Sequence, residues 1–346
     1  MLNWLFGSTT SGADIYVDLG TANTLIAIKN KGIVLNEPSQ VMVTETNLKK
    51  RKVLGIGLEG QEIAKNNPGH IITVKPVRDG VIADFDATKT MLSHFLSKVL
   101  KKHSLSRPAV VVSLPYGVTE VEKKAVVEAC RSAGASRTYL IDEPMAAAIG
   151  ADLPIKEASG QMIIDIGGGT TEIAVIALAD IVYCEPLKMG GHRFDEVITR
   201  YMKDAKKLVI TEETAEKVKI ELGTALPKKN IISAEVEGRD IDTGFPRKQM
   251  VTSEEIGTAL ADSIQQIVHG ILNALEQTPP ELVSDIIGNG IVLAGGGALI
   301  KELTSKIESE VRIPVRIAPN PLTAIAVGGE KVLSDPGLLD KIQLEM

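Results

Sequence analysis

Short apolar runs that end at glycine- and threonine-rich turns recur along this chain. Ile15-Tyr-Val-Asp-Leu-Gly20 is one such run, and Thr24 to Lys29 resumes as a second β-rich stretch, so the pair predicts a hairpin. The pattern returns from Met162 as Ile163-Ile-Asp165-Ile-Gly167-Gly-Gly169-Thr-Thr-Glu172-Ile-Ala-Val-Ile176. Setting Asp18 against Asp165 needs no gap through Ile28 and Val175, and Asp, Gly, Thr, Ile and Ala coincide at five of eleven positions. A positioned internal repeat of this kind predicts two halves built on one plan.

Between the hairpins, Ala109 to Leu114 (AVVVSL) has the pattern of a buried strand. Thr119 with Glu122 makes a capping box, which predicts a helix running to Gly134. Tyr139 to Ile141 reads as a short strand, and Pro144 starts a small-residue helix from Met145 to Gly150. After the second hairpin, Thr252 with Glu255 caps a long helix reaching Glu276, and Pro279-Pro280 breaks it. Gly290 to Leu293 reads as a strand leading into Gly295-Gly-Gly297, with a helix expected from Ala298. Strands thus alternate with helices, the α/β pattern. Residues 36–79 and 190–251 have weaker periodicity and read as smaller insertions.

At 346 residues the chain exceeds what one hydrophobic core organises, which predicts two domains or more and room for a cleft. Hydrophobic residues make up 44% and charged residues 24%, so the chain should fold into packed layers. A net charge of −6 and an aromatic content of 3% offer neither a basic surface for phosphate backbones nor stacking platforms for bases, which argues against nucleic acid as a partner. Cys130 and Cys184 lack any CxxC pattern and read as free thiols in a reducing cytoplasm. No stretch of about 18 apolar residues is present to span a bilayer. The apolar start Met1 to Phe6 lacks a basic flank and is too short for a signal peptide, so a cytoplasmic location is expected.

Asp18 and Asp165 each fall at the end of an apolar run, just before a turn of Gly and Thr. Such turns expose backbone N–H groups without side-chain bulk, which suits a polyphosphate. Thr21, Asn23, Thr170 and Thr171 add hydroxyl and amide groups. A carboxylate beside phosphate oxygens needs a cation between them, so the two aspartates together imply Mg²⁺. An ordinary hairpin turn is the alternative for either unit alone. Ala294-Gly-Gly-Gly-Ala298 would bring a helix N-terminus toward a nucleotide, or form a tight βα connection. Gly55-Ile-Gly-Leu-Glu-Gly60 matches GxGxxG, but the helix after it could run only from Gln61 to Asn67, too short for a βαβ unit. The five histidines, His70, His94, His103, His192 and His269, have no metal-ligand spacing.

Taken in order, Asp18-Leu-Gly-Thr-Ala-Asn-Thr24, Ile141-Asp-Glu-Pro-Met-Ala-Ala-Ala148, Asp165-Ile-Gly-Gly-Gly-Thr-Thr-Glu172 and Ala294-Gly-Gly-Gly-Ala298 resemble the actin, heat-shock chaperone and sugar kinase superfamily. The wording is similar to that of MreB-type bacterial actins from about Asp14 to Val332, with further matches at Gly32 to Ser39, Arg78 to Phe85 and Ala324 to Gly329. The resemblance implies an actin-like ATPase fold: two related α/β domains around a nucleotide cleft, each with a smaller inserted subdomain. On that plan residues 1–35, 80–150 and 323–346 form subdomain IA and 36–79 subdomain IB, while 151–189 with 252–322 form IIA and 190–251 form IIB.

The same resemblance implies ATP and Mg²⁺ as cofactors. Gly20, Thr21, Ala22 and Asn23 would be the first phosphate loop, and Gly167, Gly168, Gly169 and Thr170 the second, with ATP between them. Asp165, and Asp18 through water, would hold Mg²⁺. Gly295, Gly296, Gly297 and Ala298 would meet the adenosine side, and Glu216, Lys217, Val218 and Lys219 would close over sugar and base. Glu143 would orient the attacking water, aided by Thr170. The alternative for Glu143 is a carboxylate that only favours its own helix N-terminus. His192, Arg193 and Ile220 depart from the residues usual in relatives, which puts the adenosine contacts in doubt more than the phosphate contacts. The small-residue segments Ala146 to Gly150 and Ala324 to Gly329 resemble connecting helices at a hinge; tight core packing is the alternative.

If Met1 to Phe6 is helical, Leu2, Leu5 and Phe6 share a face with Trp4 alongside, a small membrane foot; packing on its own domain is the alternative. Leu105, flanked by Lys101, Lys102 and Arg107, is similar in position to a supplementary membrane loop. The implied role is a homopolymer of head-to-tail protofilaments, paired antiparallel, on the inner face of the cell membrane. There it would guide cell-wall synthesis and maintain rod shape with membrane proteins of the elongation machinery. An FtsA-type actin would carry its membrane helix at the C-terminus, and a small-molecule kinase would need a substrate-side base that is not found. MreB paralogues are not separated by these residues.

Overall fold

The computed structural model describes residues 14–44, 52–66, 71–78, 80–103 and 107–345. The chain forms two compact units, one running to Leu153 and resuming at Thr323, the other Pro154–Leu322.

The first unit is organised by a five-stranded sheet in the order Arg137–Asp142, Ala109–Leu114, Ile15–Leu19, Asn23–Ile28, Gly32–Pro38. The first three strands run parallel and the hairpin pairs Ile15 with Ile28 through Leu19 with Thr24. Alternation puts Ile15, Val17, Val110, Val112, Leu114 and Leu140 on one face, where they pack with Met91, Leu92 and Phe95 of the helix Phe85–His103 and Val126 and Ala129 of the helix Glu120–Ser132. Each such side chain contributes about 1.5–3 kcal/mol by leaving water. The capping box forms as the sequence predicts, with Glu122 N–H donating to Thr119 Oγ1 at 3.3 Å and Thr119 N–H to Glu122 Oε2 at 2.7 Å.

A smaller antiparallel sheet, Val53–Ile56, Val41–Thr44, Ile71–Val74, carries the GxGxxG segment into a helix, Gly57–Asn66. That helix opens earlier than Gln61, because the Glu37 carboxylate accepts from Leu58 N–H at 3.2 Å and supplies the cap that local sequence lacks. Antiparallel pairing removes the dinucleotide reading, which requires a parallel βαβ unit.

The second unit repeats the plan, in the order Asp180–Leu187, Thr171–Ala177, Gln161–Ile166, Ile291–Ala294, Val315–Ile317. Its core joins Ile164, Ile166, Ile173 and Val175 to Phe194 and Ile198 of the helix Gly191–Lys206 and to Ile264, Ile267 and Ile271 of the long helix Ser253–Gln277. The Thr252–Glu255 capping box opens the long helix. Residues 208–252 also form a three-stranded sheet, Leu208–Val209, Ser233–Asp240, Pro246–Thr252, beside the helix Glu212–Leu222.

The helix expected from Ala298 is not there. Gly296–Leu299 is one 3₁₀ turn, and the α-helix begins only at Leu303. Lys301 is held as a parallel bridge to Thr224, with its carbonyl accepting from Ala225 N–H at 2.8 Å, so the chain is extended where a helix would have to continue.

The helices Glu143–Gly150 and Ala324–Ser334 cross within the first unit with no room for side chains. A Cβ on Gly150 would fall on the carbonyl of Ala324, and one on Gly328 on the carbonyl of Ala146. Replacing glycine by alanine inside a helix ordinarily gains roughly 0.5–1 kcal/mol. Here the sign should reverse: Gly328→Ala should lose about 2 kcal/mol or more to overpacking. Gly288, helical with nothing within 4 Å of its Cβ position, is the control. In thermal melts, Gly328→Ala should lower the midpoint while Gly288→Ala does not.

Candidate functional site

Both units place a glycine turn at the carboxyl edge of a central sheet, the edge at which α/β proteins bind ligands. In the first unit, Asp18 lies near the end of a wholly buried strand and is itself 7% exposed. The turn after it, Gly20 to Ala22, is tight: a Cβ on Gly20 would stand 2.6 Å from the Asn23 carbonyl. Thr21 is turned inward and accepts from Gly80 N–H at 3.3 Å, whereas Ala22 and Asn23 are exposed. Ser39 holds the turn from outside. Its hydroxyl donates to the Gly20 carbonyl at 2.6 Å, its N–H donates to the Ala22 carbonyl at 2.9 Å, and its Oγ lies 2.9 Å from Thr24 Oγ1. Ser39 was visible only as the last residue of a matched segment, and its role depends on a contact nineteen positions away.

Glu143 opens its helix at the carboxyl end of the strand Arg137–Asp142, and Pro144 fixes that helical start. One strand, Ala109–Leu114, separates it from the strand of Asp18. Two strand spacings are roughly 10 Å, so Asp18 and Glu143 come from the same edge of the sheet, with one strand between theirs. Glu143 is 7% exposed, which suits a carboxylate that acts on a single water rather than on bulk solvent.

In the second unit, Asp165 is 4% exposed and pairs directly with Glu172, itself 1% exposed, across the hairpin. Burial pushes the Asp165 carboxyl up to about 7, and its Oδ1 has no hydrogen-bond partner. Two buried carboxylates share one face of the hairpin, and a cation would satisfy the Asp165 Oδ1 that lacks a partner. The turn Gly167 to Thr170 closes through Gly167 N–H donating to the Thr170 carbonyl at 2.8 Å.

Gly190 and Gly191, which motif reading passed over, seat this turn. Gly191 N–H donates to the Gly167 carbonyl at 2.9 Å and His192 N–H to the Gly168 carbonyl at 2.8 Å. A Cβ on Gly190 would stand 2.8 Å from both carbonyls, so no larger residue fits. Thr171 Oγ1 adds a bond to the Met189 carbonyl at 2.7 Å.

The structure divides the four residues expected over sugar and base. Lys219 reaches the seat of the turn, donating to the Gly191 carbonyl at 3.2 Å and pairing with Asp195 at 2.9 Å. Burial raises the Asp195 carboxyl, and Lys219 opposes that shift. Glu216 is exposed, and its charge also acts on Asp195. Lys217 instead pairs with Glu213 at 3.0 Å on the outer face, and Val218 is packed in the core. Of the third glycine cluster, Gly297 and Ala298 are buried, a Cβ on Gly297 would overlap the Ile166 side chain, and Gly296 is exposed. Asp165 pairs with Ala294, so this 3₁₀ turn leaves the sheet beside the Asp165 strand. Leu2, Trp4, Leu5, Phe6 and Leu105 lie outside the described residues.

The family described as MreB/Mbl protein matches residues 12–341. The chain is 47% identical over 323 residues to the cell shape-determining protein MreB of Escherichia coli (strain K12), covering 92% of this chain and 93% of that protein. It is 44% identical over 331 residues to the cell shape-determining protein Mbl of Bacillus subtilis (strain 168), covering 96% and 98%. Among solved structures, MreB5 of Spiroplasma citri bound to ADP superposes with a TM-score of 0.88 at 34% identity, covering 96% of this chain and 98% of that one. The same protein bound to AMPPNP gives 0.86 at 34% identity, covering 93% and 96%. A MamK double helical filament shares the fold, with a TM-score of 0.76 at 20% identity over 93% and 99% of the two chains. With its repeated α/β units and near end-to-end agreement with these relatives, the chain belongs to the MreB/Mbl family of bacterial actins.

Proposed function

We propose that this protein binds ATP with Mg²⁺, hydrolyses it, and couples hydrolysis to assembly of head-to-tail protofilaments. These pair antiparallel on the inner face of the cell membrane, attached through Leu2, Trp4, Leu5 and Phe6 and supplemented by Leu105. There they organise cell-wall synthesis and maintain rod shape with membrane proteins of the elongation machinery. The observation that carries the reading is the duplicated arrangement of a buried aspartate followed by a glycine turn at the carboxyl edge of a sheet. Nucleotide-bound structures of a relative at 34% identity support it. So does the cell-shape role named for the Escherichia coli and Bacillus subtilis relatives. Among the described residues no helix is long and apolar enough to cross a membrane. The subdomain division, with 36–79 and 190–251 as insertions, is part of this reading.

The orphan Oδ1 of Asp165 and its raised pKa fit a divalent cation. Asp165 would hold it directly and Asp18 through water. Mg²⁺ would neutralise the β- and γ-phosphate oxygens of the bound nucleotide. The chain's own contribution is positional. Backbone N–H groups of the turns Gly20 to Asn23 and Gly168 to Thr170 bind phosphate, Gly167 N–H being spent on closing its turn, and Glu143 with Thr170 orients the attacking water. Lys219, bonded to Asp195 and to the Gly191 carbonyl beside the second turn, is the member of its helix that this reading assigns to the nucleotide.

Three outcomes test this. First, Glu143→Gln should slow phosphate release about 100-fold or more while leaving nucleotide affinity intact; equal turnover would remove Glu143 from catalysis. Second, the folded nucleotide-free protein keeps a proton on Asp165 up to about pH 7, whereas the unfolded chain releases it near the ordinary 3.8. Proton binding is then greater in the folded state, so stability should fall as pH rises across that window. Asp165→Asn should flatten this fall in melts at graded pH and abolish the Mg²⁺-dependent gain in nucleotide affinity. Third, the protein should sediment with ATP, and more so with anionic liposomes. Sugar phosphorylation without sedimentation would indicate a kinase instead.

A further inference from the structure

Ser113 stands near the end of the strand Ala109–Leu114, the central one of the three parallel strands in the first unit's sheet, and its side chain is fully buried. It pairs in parallel register with Asp18 on one side and Ile141 on the other. Directly paired residues on adjacent parallel strands project from the same face, about 4.8 Å apart. Ser113 therefore points the way Asp18 points, away from the core face built by Val110, Val112 and Leu114.

Its hydroxyl is anomalous. Thr24, Thr88 and Thr171 are equally buried, and each of those hydroxyls has a hydrogen-bond partner within the chain. Ser113 Oγ has none. A buried hydroxyl without a partner costs free energy, and the rest of this strand, Ala109 to Val112 and Leu114, is apolar. A small apolar residue would fill the place without that cost, so the hydroxyl calls for a partner that arrives from outside the chain.

We propose that Ser113 is a positioning residue for Asp18: its O–H donates to the water through which Asp18 holds the nucleotide's divalent cation. That water gives one lone pair to the cation, accepts from Ser113 with the other, and donates a proton to the Asp18 carboxylate, so its orientation is fixed by the chain. The inference rests on the reading of Asp18 as a cation-linked carboxylate.

The test measures affinity for a fluorescent ATP analogue in Mg²⁺ and in EDTA, with thermal melts of the nucleotide-free protein. It compares wild type, Ser113→Ala and Ser113→Thr. Ser113→Ala should weaken binding about tenfold in Mg²⁺, the scale of one hydrogen bond in a charged network, and leave binding in EDTA unchanged. Its nucleotide-free melting point should hold or rise, because an unsatisfied hydroxyl is removed. Ser113→Thr should keep the Mg²⁺-dependent gain. Unchanged affinity in Mg²⁺, equal losses in both media with a lowered melting point, or a threonine variant that behaves as alanine would each overturn the proposal. A wild type that binds alike in Mg²⁺ and EDTA would defeat the cation reading itself, and the role of Ser113 with it.

Discussion

Carboxylates held out of water at the ends of buried strands constrain how both halves of this protein are built. Asp18 and Asp165 sit on strands in which every residue is buried, flanked on both sides by other strands. Their positions are set by the sheets and not by flexible loops, which is what precise alignment of charge requires. The cost is desolvation, visible in the elevated Asp165 pKa and its orphan oxygen. Such a carboxylate is tolerable in a native fold when a cation or proton accompanies it. On the proposed reading, a bound cation would relieve that cost at Asp165, so ligand binding would add to fold stability.

The second unit shows how that site connects to the rest of the molecule. The glycine turn after Asp165 is seated on Gly190 and Gly191, which begin the helix Gly191–Lys206. Lys219, from the following helix, closes on the Gly191 carbonyl and on Asp195. On the proposed reading, a shift of the turn on binding nucleotide would press directly on the backbone that opens the segment 190–251. In the first unit Ser39 serves the corresponding purpose, tying the turn to the strand Gly32–Pro38 and the smaller sheet beyond it.

Much of this was legible in the residues because it is local. The two hairpins, the Thr119–Glu122 and Thr252–Glu255 capping boxes and the apolar run Ala109–Leu114 depend on neighbours in sequence, and each is where the pattern puts it. The family was legible because its glycine and aspartate motifs fall in order along most of the chain. What the sequence hid depends on distant partners. The helix expected at Ala298 fails because Lys301 bridges to Thr224, and the helix at Gly57 starts early because Glu37 caps it. Gly190, Ser39 and Ser113 carry no motif of their own, since their importance comes from what the fold sets against them.

On the proposed reading, the turns Gly20–Asn23 and Gly167–Thr170 each take up phosphate of a cation-bound nucleotide. Amide hydrogen exchange tests it most directly. ATP with Mg²⁺ together should slow exchange in both turns and in the Gly190–His192 segment, while ATP in EDTA or Mg²⁺ alone should protect neither turn comparably. Protection confined to one turn, or found only elsewhere in the chain, would contradict the account.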